Sequence, residues 1–96
     1  MTVFKNIDDS YLEQIFPEKF LSVTDRRYIF LYSIGLDFNE IGDFCHKHPM
    51  TIKKALHESA ERFFDSSALP NLRRITLIRV FSMVGYHTLN KVHTLF

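Results

Sequence analysis

The fold of this chain is decided by residues 21–63, which read LSVTDRRYIFLYSIGLDFNEIGDFCHKHPMTIKKALHESAERF. Two helix-start signals lie here, each with a capping residue followed three positions later by an acid: Ser22 with Asp25, and Asp37 with Glu40. Gly35 lies between them and suits the left-handed end of the first helix. The pattern predicts two consecutive helices that bury Tyr28, Leu31, Tyr32, Ile34, Ile41, Phe44 and Cys45.

A short turn at residues 45–48 leads to a third helix start. Pro49 suits a first helical position, where its missing N–H costs nothing, and the helix is predicted to run to Phe64. Gly42 precedes the turn, where a small side chain lets two helices approach closely. We expect Gly42→Ala to be neutral or mildly stabilising, because Gly inside a helix is worse than Ala by about 0.5–1 kcal/mol. Residues 37–64 therefore predict a helix-turn-helix unit.

Helical signals continue on both sides of this unit. Ser10 and Glu13 have capping-box spacing, which predicts a short helix over Ser10–Phe16. Pro70 suits the start of an apolar helix that ends at Gly85, and no strand-like alternation persists in the chain. The predicted fold class is all-α, with a helical extension at 1–20, a helix-turn-helix core at 21–64 and a long apolar helix in a dimerisation segment at 65–96.

The composition is that of one small folded domain. The 96 residues are 46% hydrophobic and 24% charged, which are ordinary values for a globular protein with a single core. The chain does not begin with a basic segment and apolar run like a signal peptide. Its most apolar stretch, Ile75 to Val84, is interrupted by Arg79 and is far shorter than the ~20 residues that span a bilayer. A cytoplasmic protein without a membrane anchor is expected.

Catalytic and metal-binding patterns are weak. The single cysteine, Cys45, excludes an internal disulfide, and its neighbour His46 is poorly placed to act as its base. Cys45, His46 and His48 lack the paired motifs of structural zinc sites. The sequence also has no glycine-rich loop for phosphates. We expect neither an enzyme nor a bound metal or cofactor.

Charge is distributed unevenly along the chain. Residues 1–45 hold eight acids and four bases, whereas residues 46–96 hold eight bases, three acids and all five histidines. If the chain binds a polyanion, the binding surface is therefore expected in the second half. The alternative is that charges segregate by chance in so short a chain.

The helix over residues 49–64 has two distinct faces. At ~100° per residue, one side carries the inward-facing residues Ile52, Ala55, Leu56, Ser59 and Phe63. The opposite sector carries Met50, Lys53, Lys54 and His57. Lysine suits guanine edges or phosphate oxygens, and Glu61 limits contacts to the first two turns. For an isolated helix, this division would indicate an ordinary amphipathic helix with a solvated basic face. The preceding turn, with small Gly42 and inward-facing Ile41 and Cys45, favours DNA binding instead.

Residues 21–63 resemble the LuxR/GerE-type helix-turn-helix domain of bacterial transcription regulators. Leu21-Ser22, Asp25-Arg26, Gly35, Glu40-Ile41 and Thr51-Ile52-Lys53 are similar to that family's motif residues at the same spacings. The resemblance implies that Lys53, Lys54 and His57 read bases, that Thr51 engages phosphate and that the following helix forms a dimer contact. Three positions depart from the family pattern: Gly42 replaces an alanine, Lys47 an apolar residue and His48 a hydroxyl cap.

The expected function is a small bacterial transcription regulator that binds duplex DNA as a homodimer. The candidate DNA contacts are Met50, Thr51, Lys53, Lys54, His57, Lys47, His48 and Asn39. The candidate dimer contacts are Ile75, Ile78, Phe81 and Val84; the alternative for this apolar face is a monomer in which the N-terminal helix and the tail cover it. The alternative is a protein-interaction module that keeps the helix-turn-helix fold and heterodimerises with a larger regulator. The near-neutral net charge and Lys47 favour that alternative.

Overall fold

The computed structural model describes residues 8–65 and 68–95, with side chains in the last helix as far as residue 83. Within these ranges the chain forms helices and no strand, which confirms the all-α prediction. The helices are α1 (Asp9–Ile15), α2 (Val23–Ser33), α3 (Phe38–Cys45), α4 (Pro49–Phe64) and α5 (Leu69–Leu95).

The predicted caps of α2 and α3 are confirmed. The Ser22 hydroxyl accepts the amide of Asp25 at 3.0 Å, and the Asp25 carboxylate accepts the amide of Ser22 at 3.2 Å. Asp37 and Glu40 form the same reciprocal pair at 2.8 and 3.1 Å. Gly35 has a φ of 114°, which suits glycine alone. These caps hold α2 and α3 as separate helices.

Two local predictions were wrong. The cap of α1 is Asp8, whose carboxylate accepts the amide of Tyr11 at 2.9 Å, while the Ser10 hydroxyl donates to that carboxylate. The carboxylate is the stronger acceptor, so the helix starts earlier than Ser10. Ile34 is 42% exposed because α2 ends at Ser33, and Ile34 caps the helix end instead of lying on its buried face.

A single core joins every helix. α2 packs against each of the other four helices and is the centre of the fold. Fully buried apolar side chains come from all five helices, namely Leu12, Ile15, Ile29, Ile41, Ile52, Leu56, Ala60 and Leu72. The extension and the C-terminal segment therefore pack, in their described parts, on the same core as residues 21–64.

The last helix is long but is not the apolar helix predicted. α5 is a single helix that continues past Gly85, where an end was expected. A glycine in a helix interior costs only about 1 kcal/mol relative to alanine, so it does not by itself stop a helix. Arg73, Arg74 and Arg79 interrupt the apolar sequence of α5. Among the described residues, no helix is long and apolar enough to cross a membrane.

Arginine side chains tie the connecting segments to the helices. Arg26 is buried and donates from Nε to the carbonyl of Phe16 at 2.8 Å and from Nη2 to the carbonyl of Glu18 at 3.1 Å. Arg79 of α5 donates to the carbonyl of Ile15 at 3.0 Å and forms an ion pair with the Glu18 carboxylate. The end of α1 is therefore held from both α2 and α5.

Gly42 is buried where α3 most closely approaches the following turn. A Cβ on Gly42 would lie 2.5 Å from the carbonyl oxygen of Lys47 and 3.4 Å from the nitrogen of Pro49. Both are backbone atoms, which cannot rotate aside as a flexible side chain would. The expectation that Gly42→Ala is neutral or stabilising is therefore wrong, because helix propensity is outweighed by this contact.

We expect Gly42→Ala to lower the free energy of unfolding by about 1–3 kcal/mol, as overpacking does elsewhere. The matched control is Asp43→Ala on the exposed neighbouring position, which should change stability by no more than about 0.5 kcal/mol. Urea unfolding followed by circular dichroism measures both variants. A Gly42→Ala protein as stable as the parent would contradict the close approach.

The ion pair of Glu18 should make stability depend on pH. Burial acts to raise the pKa of the Glu18 carboxyl, but the hydrogen bond and charge of Arg79, with the charge of Arg26, hold this pKa below its ordinary value. Such a carboxyl stabilises the fold above its unfolded pKa, and the contribution is lost as pH falls through the folded pKa. Glu18→Gln should therefore lower Tm at about pH 7 and differ less from the parent at about pH 3.

Thermal melts at both pH values test the pair, with Glu13→Gln on the exposed face of α1 as the control. The control should show no comparable change in its difference from the parent. A Glu18→Gln difference of equal size at both pH values would show that the charge of Glu18 is not what stabilises this end of α1.

Candidate nucleic-acid interface

The turn between α3 and α4 is closed by backbone and side-chain hydrogen bonds. His46 adopts the left-handed conformation, with φ 57° and ψ 45°. The carbonyl of Gly42 accepts the amides of His46 and Lys47, the latter at 2.8 Å. His48 is extended, and its Nδ1 accepts the amide of Met50 at 3.1 Å. The turn is therefore hydrogen-bonded to both α3 and α4.

His48 has a structural role that the sequence did not predict. The resemblance placed it where a hydroxyl cap is usual, and the imidazole performs the same capping with a ring nitrogen. Pro49 follows at the first helical position, as predicted. Because Nδ1 is occupied, only Nε2 of His48 remains for a contact with an external group.

α4 has a buried stripe and an exposed basic sector, as predicted. Ile52, Leu56 and Ala60 are completely buried, and Ser59 is nearly so, with its hydroxyl donating to the carbonyl of Ala55 at 2.9 Å. On the other side the side chains of four predicted DNA contacts are exposed: Met50, Thr51, Lys53 and Lys54. The first two turns of α4 therefore present side chains to solvent from a helix that is fixed by its opposite face.

The remaining predicted contacts are in the turn, on α3 and further along α4. Lys47 and His48 are exposed in the turn, and Asn39 is exposed in the first turn of α3. His57 differs from the other residues, because it is half-buried and already interacts within the protein. Its imidazole is less available for an external partner than its position on the helix suggested.

In the second half of the chain, the described arginines form hydrogen bonds within the protein, whereas the lysines around the start of α4 are exposed at the surface. Arg62 donates to the carbonyl of Phe20 at 3.0 Å, and Arg73 donates to the carbonyl of Tyr32 at 3.1 Å with its guanidinium 4.3 Å from the centre of that ring. Arg74 donates to Asn71, and Arg79 to Ile15. Lys47, Lys53 and Lys54 instead lie exposed around the start of α4. The exposed cations around the start of α4 are therefore these three lysines.

Acidic residues limit the size of the basic sector. Glu58 and Glu61 are exposed later on α4, and Asp43 is exposed on α3. Asp37 and Glu40 accept backbone amides in the α3 cap. A polyanion would therefore be attracted at the first two turns of α4 and repelled beyond them.

The predicted dimer contacts differ in their exposure. Ile78 and Phe81 are 64% and 68% exposed, on the side of α5 that faces away from the buried Leu72. Ile75 is half-buried, and the side chain of Val84 lies outside the described residues. Two large apolar side chains are thus left at the protein surface.

The Cys45-His46-His48 cluster was considered above as a metal site. In the part of the chain that the structure describes, no three His, Cys, Asp or Glu side chains are arranged to hold a metal ion.

Comparisons with known protein families, with curated proteins and with solved structures found no match for this chain.

Proposed function

We propose that this chain is a small bacterial transcription regulator that binds duplex DNA through a LuxR/GerE-type helix-turn-helix made of α3 and α4. The supporting observation is the two-sided character of α4. On its inner side Ile52, Leu56 and Ala60 are completely buried, whereas Met50, Thr51, Lys53 and Lys54 are exposed on its first two turns. A helix held in this way has a fixed orientation and a free face that fits the major groove.

The polar groups of this face suit both phosphates and base edges. Lys53 and Lys54 can donate to guanine O6 and N7 or to phosphate oxygens. Lys47 precedes the helix, where a phosphate also meets the positive end of the helix dipole. Thr51 in the first turn of α4 and Asn39 in the first turn of α3 add short exposed polar side chains. Contacts end before Glu58 and Glu61, so each protomer would read only a short half-site.

We expect the Lys53→Ala/Lys54→Ala double variant to lose duplex affinity by about tenfold or more, since each base-edge contact is worth about 1–3 kcal/mol. The dependence of log affinity on log salt should also become shallower by about one unit for each lysine that contacts phosphate. Fluorescence anisotropy with a labelled duplex of at least two helical turns measures both quantities.

The control is a Lys19→Ala/Arg74→Ala variant, which removes the same charge from exposed positions outside α3, α4 and the turn. It should keep the affinity of the parent. A folded Lys53→Ala/Lys54→Ala protein that binds as tightly as this control would refute the assignment of α4 as the recognition helix.

The proposal includes a homodimer formed through α5. Three lysines on one protomer give a small electrostatic footprint, so two linked half-sites are needed for useful affinity. Ile78 and Phe81 supply an exposed apolar surface on α5. In a two-fold dimer this surface would meet its own copy, with recognition helices in successive major grooves about 10 bp apart.

Phe81→Asp tests this dimer. Phe81 is 68% exposed in the protomer, so the variant should keep its helical content and melt as a folded protein. In a dimer two carboxylates would be buried without partners, at a cost of several kcal/mol. Sedimentation should therefore show a monomer, and its affinity for a two-half-site duplex should fall.

Val23→Asp is the matched control, because Val23 is also an exposed apolar residue but lies on α2. It should sediment as the parent does. A parent protein that is already monomeric at tens of micromolar would rule out the homodimer.

The exposed pair on α5 also supports a second candidate function. A module that only binds another regulator would use Ile78 and Phe81 for heterodimerisation and would not need the lysines of α4. This candidate is favoured if the parent protein shows no salt-dependent affinity for duplex DNA while Phe81→Asp abolishes its binding to a larger regulator.

A further inference from the structure

A cavity of about 400 Å³ opens between α1, α2, α3 and the turn that precedes α4. Its volume falls in the range of small-molecule sites. The apolar part of its wall is formed by side chains from three helices, namely Leu12, Phe30, Leu31 and Phe44. The cavity is separate from the exposed sector of α4, and it shares only the turn with it.

The rim of the cavity carries positive charge. Arg27 and Lys47 line it beside His46, and all three are exposed at the surface. The acid that faces this rim from α1 is Asp9, which pairs with Arg27 at 2.9 Å. More than half of each partner's side chain is exposed, so this pair is weak and a competing anion can displace Asp9.

The polar groups deeper in the cavity are neutral. Burial raises the pKa of the Cys45 thiol, although the charge of Arg27 opposes the shift. Burial also raises the pKa of the Tyr28 hydroxyl, and Cys45 and Asp25 act in the same direction. At neutral pH both groups are therefore uncharged. The wall combines an apolar surface with the hydroxyls of Thr24 and Tyr28 and the single thiol of Cys45, and its positive charge lies at the mouth.

We propose that this cavity binds a small carboxylic acid with an apolar body. The apolar part would lie against Leu12, Phe30 and Phe44, and the carboxylate would accept hydrogen bonds from Arg27 and Lys47 at the mouth. Arginine and lysine are the side chains that hold carboxylates most strongly, by charge-assisted hydrogen bonds. The apolar wall alone would accept a neutral compound, and the cationic rim selects the acid.

A consequence for DNA binding follows, and it rests on the proposed function. Lys47 lies both on the rim of the cavity and beside the start of α4. A carboxylate bound to Lys47 neutralises one of the three lysines available to phosphate. The acid should therefore weaken duplex binding when both ligands are present.

The binding test uses the full chain without DNA and the probe 1-naphthoate, with the uncharged 1-naphthalenemethanol as its matched partner. Calorimetry should show saturable binding of naphthoate that is tighter than that of the alcohol by about tenfold. Naphthoate should also slow the alkylation of Cys45 by iodoacetamide, a signal that is unambiguous because the chain has one cysteine.

Variants locate the site. Arg27→Gln and Lys47→Gln should each weaken naphthoate binding, whereas Lys19→Gln, an exposed cation that does not line the cavity, should leave it unchanged. Thr24→Trp at the exposed edge of the cavity should block binding, with circular dichroism confirming the fold.

Three results would overturn the proposal: equal affinity for the acid and the alcohol, alkylation of Cys45 that saturating naphthoate does not slow, or a loss in Lys19→Gln as large as in Arg27→Gln. Anisotropy with duplex DNA then tests the competition separately. Naphthoate that binds the protein without weakening DNA binding would leave the cavity assignment standing and would contradict only the consequence for Lys47.

Discussion

The contact between Gly42 and the turn determines how α4 leaves α3. A Cβ on residue 42 would lie only 2.5 Å from the carbonyl oxygen of Lys47. Glycine, which has no Cβ, therefore fits this position without a clash. The Gly42 carbonyl in turn accepts the amides of His46 and Lys47. With the turn fixed at this distance, Ile52 and Leu56 reach the core beside Ile41, and the opposite face of α4 points to solvent.

The chain uses its two kinds of cation differently. Arg26, Arg62, Arg73 and Arg79 each donate to a backbone carbonyl of another segment, and the planar guanidinium fork is well suited to such contacts. The lysines on α4 and in the turn before it remain exposed at the surface. Part of the positive charge of the second half therefore lies on arginines that also hold segments of the fold together.

Local signals in the sequence predicted the helices, and long-range contacts decided what it missed. Ser22, Asp37 and Pro49 carry their information within four residues, and each acts as predicted. Whether a Cβ at residue 42 stabilises or destabilises the fold depends on the exact path of the turn. Helix propensity alone therefore predicted the wrong direction for the stability change of Gly42→Ala. The cavity has walls from Leu12 to Lys47, and no short motif marks residues so far apart. The hydrogen bonds from Arg26 to the carbonyls of Phe16 and Glu18 could not be predicted for the same reason.

The proposed DNA-binding face is tested most directly by titrating the isotope-labelled protein with duplex DNA and following the backbone amides by NMR. Contact through α4 predicts that the largest salt-sensitive shifts fall at residues 47–57 and at Asn39, with α1 and the described part of α5 little affected. A titration without shifts, or one in which the shifts concentrate on α1 or around Phe81, would contradict the assignment of α4 as the helix that enters the groove.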